Sequence, residues 1–342
     1  MRSKPIAGGP GTALLKLIAD QGGTVHRGGV CNDKIRQMNL WGSEGCRERL
    51  NVIVGWLTAP PRRTNRRERI TVTAPGSRRP SPGTARRLVL NAIARHEGDV
   101  NHGNLIIVVV GGKTTEEQWQ ITGPRIENYA RRVGADLKVL MGDHHPGWPM
   151  ANKWRIQPFV AKYERTLYLD VDVFISPDAP NIFDAVPKNR FGLFDEFADT
   201  RFNVPGNWIQ KEGNAICDSQ GWPRIQLTWS ANGGVLLFPK WASDLYAPPE
   251  KKVKKYWCLD QGLLTLQLER FQIQPHFLDR KWNHGFVGSQ FWRGIKDAYF
   301  VHLNGSRPHS YRMALLRRFA AGDFSRLNPP ATAHWRPQWA SL

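Results

Sequence analysis

From residue 84 onward, short apolar runs alternate with clusters of Gly, Pro and polar residues, and the runs switch between two spacings. Residues 84–95 place Leu88, Leu90 and Ile93 at helical spacing, which predicts a helix. Residues 105–110 form an unbroken, β-branched run closing on Gly111-Gly112, the pattern of a buried parallel strand. A helix is expected over 124–133, with Pro124 at its start and Gly134 just past its end. Residues 137–140 read as a second strand. Residues 152–163 read as a helix that Pro158 must kink or bound. Strands are further expected at 166–173, 190–194, 234–238 and 298–303, and a helix at 259–270. This alternation predicts an α/β fold, an open, mainly parallel twisted sheet with helices on both faces. Ligands of such sheets lie beyond the carboxyl ends of the strands.

Residues 1–83 depart from that pattern. Gly, Pro and Arg are scattered through them, as in Pro60-Pro61-Arg62-Arg63 and Arg78-Arg79-Pro80, with short apolar pieces such as 51–57 between. Such a stretch offers little burial against its ordering entropy, so the expected division is a poorly defined basic segment at 1–83, a catalytic domain at 84–322 and a tail at 323–342. Because the compact pattern starts near 84, a further hypothesis is that part of the first segment is not translated in the cell. Recovery of a native peptide from residues 1–30 by mass spectrometry sinks it.

Charge and cysteines refine the picture. The formal charge is +19, and residues 1–100 hold roughly 18 Lys/Arg against roughly 7 Asp/Glu. That excess suits an acidic partner such as an anionic membrane surface touched peripherally; the rest of the chain is only moderately basic, as fits an enzyme handling phosphates. Nucleic acid is the less favoured partner, since no RNA-binding or zinc-finger spacing accompanies the arginines. The four cysteines form no C-x-x-C pair and no disulfide framework, which points to a reducing, cytoplasmic setting. No run reaches the roughly 18 apolar residues of a membrane span.

The most informative stretch is Arg165-Thr166-Leu167-Tyr168-Leu169-Asp170-Val171-Asp172-Val173. On a strand, Asp170 and Asp172 point to the same side. Two carboxylates at the end of a buried strand repel, and a divalent cation relieves the repulsion; Mn²⁺ and Mg²⁺ prefer such oxygen ligands and complete their shells with substrate phosphates.

That stretch resembles the D-x-D strand of GT-A glycosyltransferases, in particular the glycogenin and lipopolysaccharide galactosyltransferase type. Further short motifs follow in the order of that family: Asn232-Gly233-Gly234-Val235 resembles its N-x-G-V segment, Asp260-Gln261 its Asp-Gln pair, Trp282-Asn283 its W-N, and His302-Leu303-Asn304-Gly305 its H-x-x-G. The likeness covers about residues 100–312. The family continues with Lys-Pro-Trp, where this chain has Ser306-Arg307-Pro308-His309, one residue shorter.

The resemblance implies a GT-A-like sheet and transfer of a sugar from a nucleotide-diphosphate sugar, with UDP favoured, to a glycan, lipid-linked or protein acceptor. It implies Mn²⁺ or Mg²⁺ on Asp170, Asp172 and His302. Donor contacts fall to Asp170, Asn232, Gly233, Gly305 and Arg307, with Lys153 or Arg155 as the basic residue upstream. Asp260 and Gln261 take the catalytic position beside the anomeric carbon, and retention of configuration is expected. Asp195 and Glu196, after an apolar run, are candidates for sugar hydroxyls, and several of the 14 Trp for sugar faces. Two other readings stay open. A sugar-phosphate nucleotidyltransferase shares the sheet and the metal, although Gly111-Gly112-Lys113 is short for a triphosphate loop. A basic nucleic-acid-binding protein accounts for the charge alone.

Overall fold

The structure, a computed structural model, describes residues 9–20, 24–25, 29–58, 72–73, 82–98, 102–145, 148–198, 208–249, 251, 253, 259–285, 291–304 and 308–327. The chain divides into two compact units: Met1–His102 with Gln157–Glu164 and Pro239–Ala247, and Gly103–Ile156 with Arg165–Phe238 and Pro248–Leu342.

The first unit is helical. Helices α1 (Pro10–Asp20), α2 (Gly29–Glu48), α3 (Leu50–Thr58) and α4 (Pro82–Gly98) surround a core of Leu14, Ile18, Met38, Leu50, Ile53, Val89 and Ile93. Two short strands, β1 (Thr24–Val25) and β2 (Val72–Thr73), pair antiparallel. The helices in 10–58 were not expected from the sequence, which reads there as a poorly defined segment. Leu14 and Ile18 are four apart and Leu50 and Ile53 three apart, so each helix carries a stripe too narrow to stand out alone, and the stripes become a core only when pooled. Asn39 crosslinks two helices, its side chain accepting from the Thr12 backbone N–H (3.0 Å) and donating to the Thr12 hydroxyl (2.9 Å). The arginine runs at 62–69 and 78–79 lie outside the described residues.

The second unit is built on a six-stranded sheet. In chain order its elements are β3 (His102–Val110), α5 (Lys113–Arg132), β4 (Ala135–Met141), a 3₁₀ segment (Pro149–Ile156), then, after the one-turn α6 (Gln157–Val160) that belongs to the first unit, β5 (Tyr163–Leu169), β6 (Val173–Ile175), the one-turn α7 (Ile182–Ala185), β7 (Gly192–Asp195), α8 (Trp208–Gln220), β8 (Ala231–Pro239), α9 (Leu259–Arg270), β9 (His276–Phe277), β10 (His284–Gly285), β11 (Phe300–His302) and α10 (His309–Ala320). The spatial order is β4-β3-β5-β8-β7-β9; β3/β4 and β7/β9 are parallel, and β7/β8 antiparallel. A second sheet, β10-β11-β6, has β11 antiparallel to β6. The expected α/β class and mainly parallel sheet are thus observed. Ile106, Val108, Val110, Leu167, Leu169, Val235 and Leu237 form the heart of the core.

Three local expectations are corrected. Pro124 lies inside α5 rather than at its start; the helix extends to Lys113, and one missing N–H is tolerated because Thr122, Ile126 and Tyr129 bury its inner face. The helix expected over 152–163 is a 3₁₀ segment followed by a single α-turn, with Pro158 in the first positions of that turn, where no N–H is needed. The strand expected over 166–173 breaks after Leu169, so Asp170 and Asp172 do not alternate along one strand.

Candidate functional site

The break after Leu169 creates the site. The Asp170 N–H donates to the Gly234 carbonyl (2.8 Å), and the Val173 N–H closes back on the Asp170 carbonyl (3.1 Å), so residues 170–173 form a tight turn between β5 and β6. The Thr122 hydroxyl holds the Val171 carbonyl (2.8 Å) from α5. The Leu303 N–H donates to the Asp172 carbonyl (3.1 Å), and in the β6/β11 register His302 faces Val173. A residue distant in sequence is thereby set against the turn. The His302 Nε2 lies 3.4 Å from an Asp172 oxygen and 3.6 Å from an Asp170 oxygen. One ligand atom from each of the three lies within 4.8 Å of the others.

This donor set fits a divalent cation. Two hard carboxylate oxygens and one imidazole nitrogen suit Mn²⁺ or Mg²⁺. Asp172 and His302 are buried, so water compensates little of the repulsion between the carboxylates. Burial opposes a charged imidazole at His302, but the two carboxylates outweigh it and, with only a proton between them, hold its pKa up to about 9. The same attraction is open to any cation at that point.

Each acid also has a side-chain cation. Lys153, at the 3₁₀ segment, lies 2.9 Å from Asp170 and 2.8 Å from Asp260. Arg312, on α10, donates to Asp172 at 3.2 Å. The Tyr168 hydroxyl donates to Asp170. Burial raises the Asp170 carboxyl's pKa, but Lys153, His302 and Tyr168 together bring it below the ordinary value.

Asp260 and Gln261 begin α9, a helix buried along nearly its whole length. The Asp260 carboxylate meets Lys153 inside the helix's first turn. Gly233 packs against this pair: a Cβ there would stand 2.8 Å from an Asp260 oxygen. At Gly234 a Cβ would collide with the His302 ring, so the glycine is what lets the imidazole lie on β8. The Gln261 amide donates to Glu196 (2.6 Å), whose other oxygen meets the Asn232 amide (3.4 Å). Asn283 donates to Asn232 (2.9 Å) and bonds the His302 Nδ1 (3.0 Å). Burial pushes Glu196 up to about 7, and its two amide donors only partly oppose this.

Lys153, Asp170, Asp172, Asn232, Gly233, Asp260, Gln261 and His302 thus converge. Arg155 does not: its guanidinium caps the carbonyls of Met141 and Gly142 at the end of β4 (2.9 and 2.7 Å). Gly305 and Arg307 lie outside the described residues. Asp195 holds the backbone N–H groups of Phe197 and Ser230 (2.9 and 3.0 Å). Trp282 is buried in the core, edge-on to Phe300. Arg312 was missed, and no local signal marks it, since 140 residues separate it from Asp172.

No family model and no curated protein matches this chain. Solved structures do. A glycosyltransferase involved in glycosylation of the major capsid of PBCV-1 aligns at 17% identity and TM-score 0.43, covering 63% of this chain and 98% of its own. The bifunctional glycosyltransferase WbbM aligns at 12% identity and TM-score 0.41, covering 82% of this chain and 65% of its own. A mutant Drosophila β-1,4-galactosyltransferase 7, solved with manganese, UDP-Gal and xylobiose, aligns at 11% identity and TM-score 0.33, covering 68% and 78%. At such identities and TM-scores these are similarities only; the functional reading rests on the side chains described above. Among the described residues no helix is long and apolar enough to cross a membrane, and Cys46 and Cys217 are buried free thiols.

Proposed function

We propose that this chain is a metal-dependent glycosyltransferase that moves a sugar from a nucleotide-diphosphate sugar, with UDP as the favoured nucleotide, to a glycan, lipid-linked or protein acceptor. The observation that carries the reading is the convergence of Asp170, Asp172 and His302 on one point, with the Lys153–Asp260 pair beside it. A bound Mn²⁺ or Mg²⁺ would neutralise charge on the leaving diphosphate. Asp170, Asp172 and His302 would hold it, and Asp170 would also reach the donor.

The remaining roles belong to the chain. Lys153 fixes the Asp260 carboxylate and keeps it from swinging into solvent. Asp260 and Gln261 then face positive charge developing on the sugar ring, a preorganised electrostatic contribution. The bond from the anomeric carbon to the diphosphate oxygen breaks as the bond to the acceptor oxygen forms. The acceptor's proton passes to the departing phosphate oxygen on the same face, giving retention. Gly233, lacking a side chain, lets the Asp260 carboxylate and Lys153 pack directly against the β8 backbone.

A thermal-shift screen of nucleotide sugars with and without Mn²⁺ tests the proposal. Stabilisation by donor and metal together is expected, about 2.7 kcal/mol at a hundred times Kd. No shift with any nucleotide sugar in the presence of metal counts against it. Proton NMR of the first-formed linkage decides retention, and an inverted product removes that part.

A further inference from the structure

The side chains behind His302 form a hydrogen-bond chain with a fixed direction. It starts at an unambiguous donor, the backbone N–H of Gly234, which meets the Asn232 side chain at 3.1 Å. An amide N–H cannot accept, so the Asn232 atom facing it must be the carbonyl oxygen. The Asn232 nitrogen therefore faces Glu196, consistent with the acceptor there (3.4 Å). Asn283 meets the same Asn232 oxygen at 2.9 Å, so it must present its own nitrogen. Its oxygen is then left for the His302 Nδ1, 3.0 Å away. An oxygen without hydrogen cannot donate, so Nδ1 carries the proton. One backbone N–H thus fixes both amide orientations and the histidine tautomer, a choice that side-chain positions alone leave open.

We propose that Asn283 and Asn232 are positioning residues that lock His302 as the Nδ1–H tautomer, presenting the Nε2 lone pair to the cation held with Asp170 and Asp172. Neither asparagine has an atom among the metal-facing donors. Both act through His302, as outer hydrogen bonds to metal-ligating histidines do, where their loss typically costs about 10–100-fold in affinity. The lock explains the burial of both asparagines, 5% and 1% exposed, beside a ring that leaves no room for a Cβ at Gly234. It rests on the metal site of the proposed transferase but requires neither nucleotide nor sugar.

The test uses the full chain without nucleotide. In ¹⁵N-histidine NMR of the Cd²⁺-loaded protein, His302 is expected to keep its proton on Nδ1 and to shift at Nε2. Cadmium on Nδ1, or a proton on Nε2, overturns the proposal with no variant required. Free-Mn²⁺ titration by electron paramagnetic resonance is expected to show a 10–100-fold weaker Kd in Asn283→Leu, which keeps the side chain's bulk and removes its oxygen, with unchanged far-ultraviolet circular dichroism. Asn232→Ser, which keeps a hydroxyl acceptor for the Gly234 N–H but no longer reaches Asn283, serves as the second variant and is expected to weaken Mn²⁺ in the same direction. Wild-type Mn²⁺ affinity in a folded variant overturns the lock and leaves the transferase reading standing. If the wild-type chain binds no Mn²⁺ without nucleotide, the lock is overturned, and the transferase reading is decided separately by the thermal shift with donor and metal together.

Discussion

Two acidic regions of the same site are treated in opposite ways. At the turn after β5, Asp170 meets Lys153, His302 and the Tyr168 hydroxyl, and its carboxyl is held below its ordinary pKa. At the end of β7, the Glu196 carboxylate takes its hydrogen bonds from the neutral amides of Gln261 and Asn232, the His302 charge helps only from farther off, and burial pushes it up to about 7. Formal cations offset the burial of a carboxylate; two amide N–H groups do not. One region therefore keeps its charge and is open to a cation, while the other sits at the edge of neutrality and anchors amides. Acids with pKa values pushed apart by their surroundings take different roles.

The sharpest way to break this contrast is Asp172→Ala. Metal-dependent transfer or hydrolysis of a nucleotide sugar should fall at least about a thousandfold, with the fold intact by circular dichroism. Retained activity places the metal elsewhere. Lys153→Met removes the cation that lies between Asp170 and Asp260 and helps hold the Asp170 carboxyl below its ordinary pKa. Leaving two carboxylates without it should cost about 3–5 kcal/mol in urea unfolding at neutral pH. Equal stability of the two proteins at neutral pH would mean that the ion pair contributes little.

Glu196→Gln tests the neutral region. The Glu196 pKa is raised in the fold from 4.5 to about 7, so the folded state holds a proton that the unfolded state releases. Its stabilising contribution is fully present below pH 4.5 and is lost as pH rises through about 7. Relative to the variant, the wild-type protein should lose on the order of 3 kcal/mol across that window. A constant gap in melting temperature from pH 4 to pH 8 would show that Glu196 ionises normally. The smallest effect belongs to Arg155→Ala, which uncaps the end of β4. A loss of about 1 kcal/mol is expected, with Mn²⁺ affinity unchanged; a large drop in nucleotide-sugar binding would return Arg155 to the donor site.

Much of this site was legible before any coordinates. The run ending in Asp170-Val171-Asp172, Asp260-Gln261 at the head of an apolar helix, and His302 closing a short late strand were each visible as local patterns. Strand alternation, however, does not pair the two acids; a turn closed by the Val173 N–H brings them together. Lys153 and Arg155 were equivalent in sequence, and only the structure separates a side chain bridging two acids from one capping a strand end. Arg312 carried no signal at all. The helices of residues 10–58 do not stand out in the sequence because each stripe is narrow and Gly and Pro surround it.

By itself the sequence determined which segments bury themselves and which carry unneutralised acids, because hydrophobic period and charge are properties of consecutive residues. It therefore yielded the α/β class, the boundaries of α9 and the candidate metal-holding aspartates. Tertiary structure alone decided which distant groups meet them. The pairing of β6 with β11 brings His302 to Asp172, Lys153 reaches Asp260 across 107 residues, and a single N–H of Gly234 orders the amides behind the imidazole. Those meetings depend on register and packing between elements, where a shift of one residue turns every side chain to the other face.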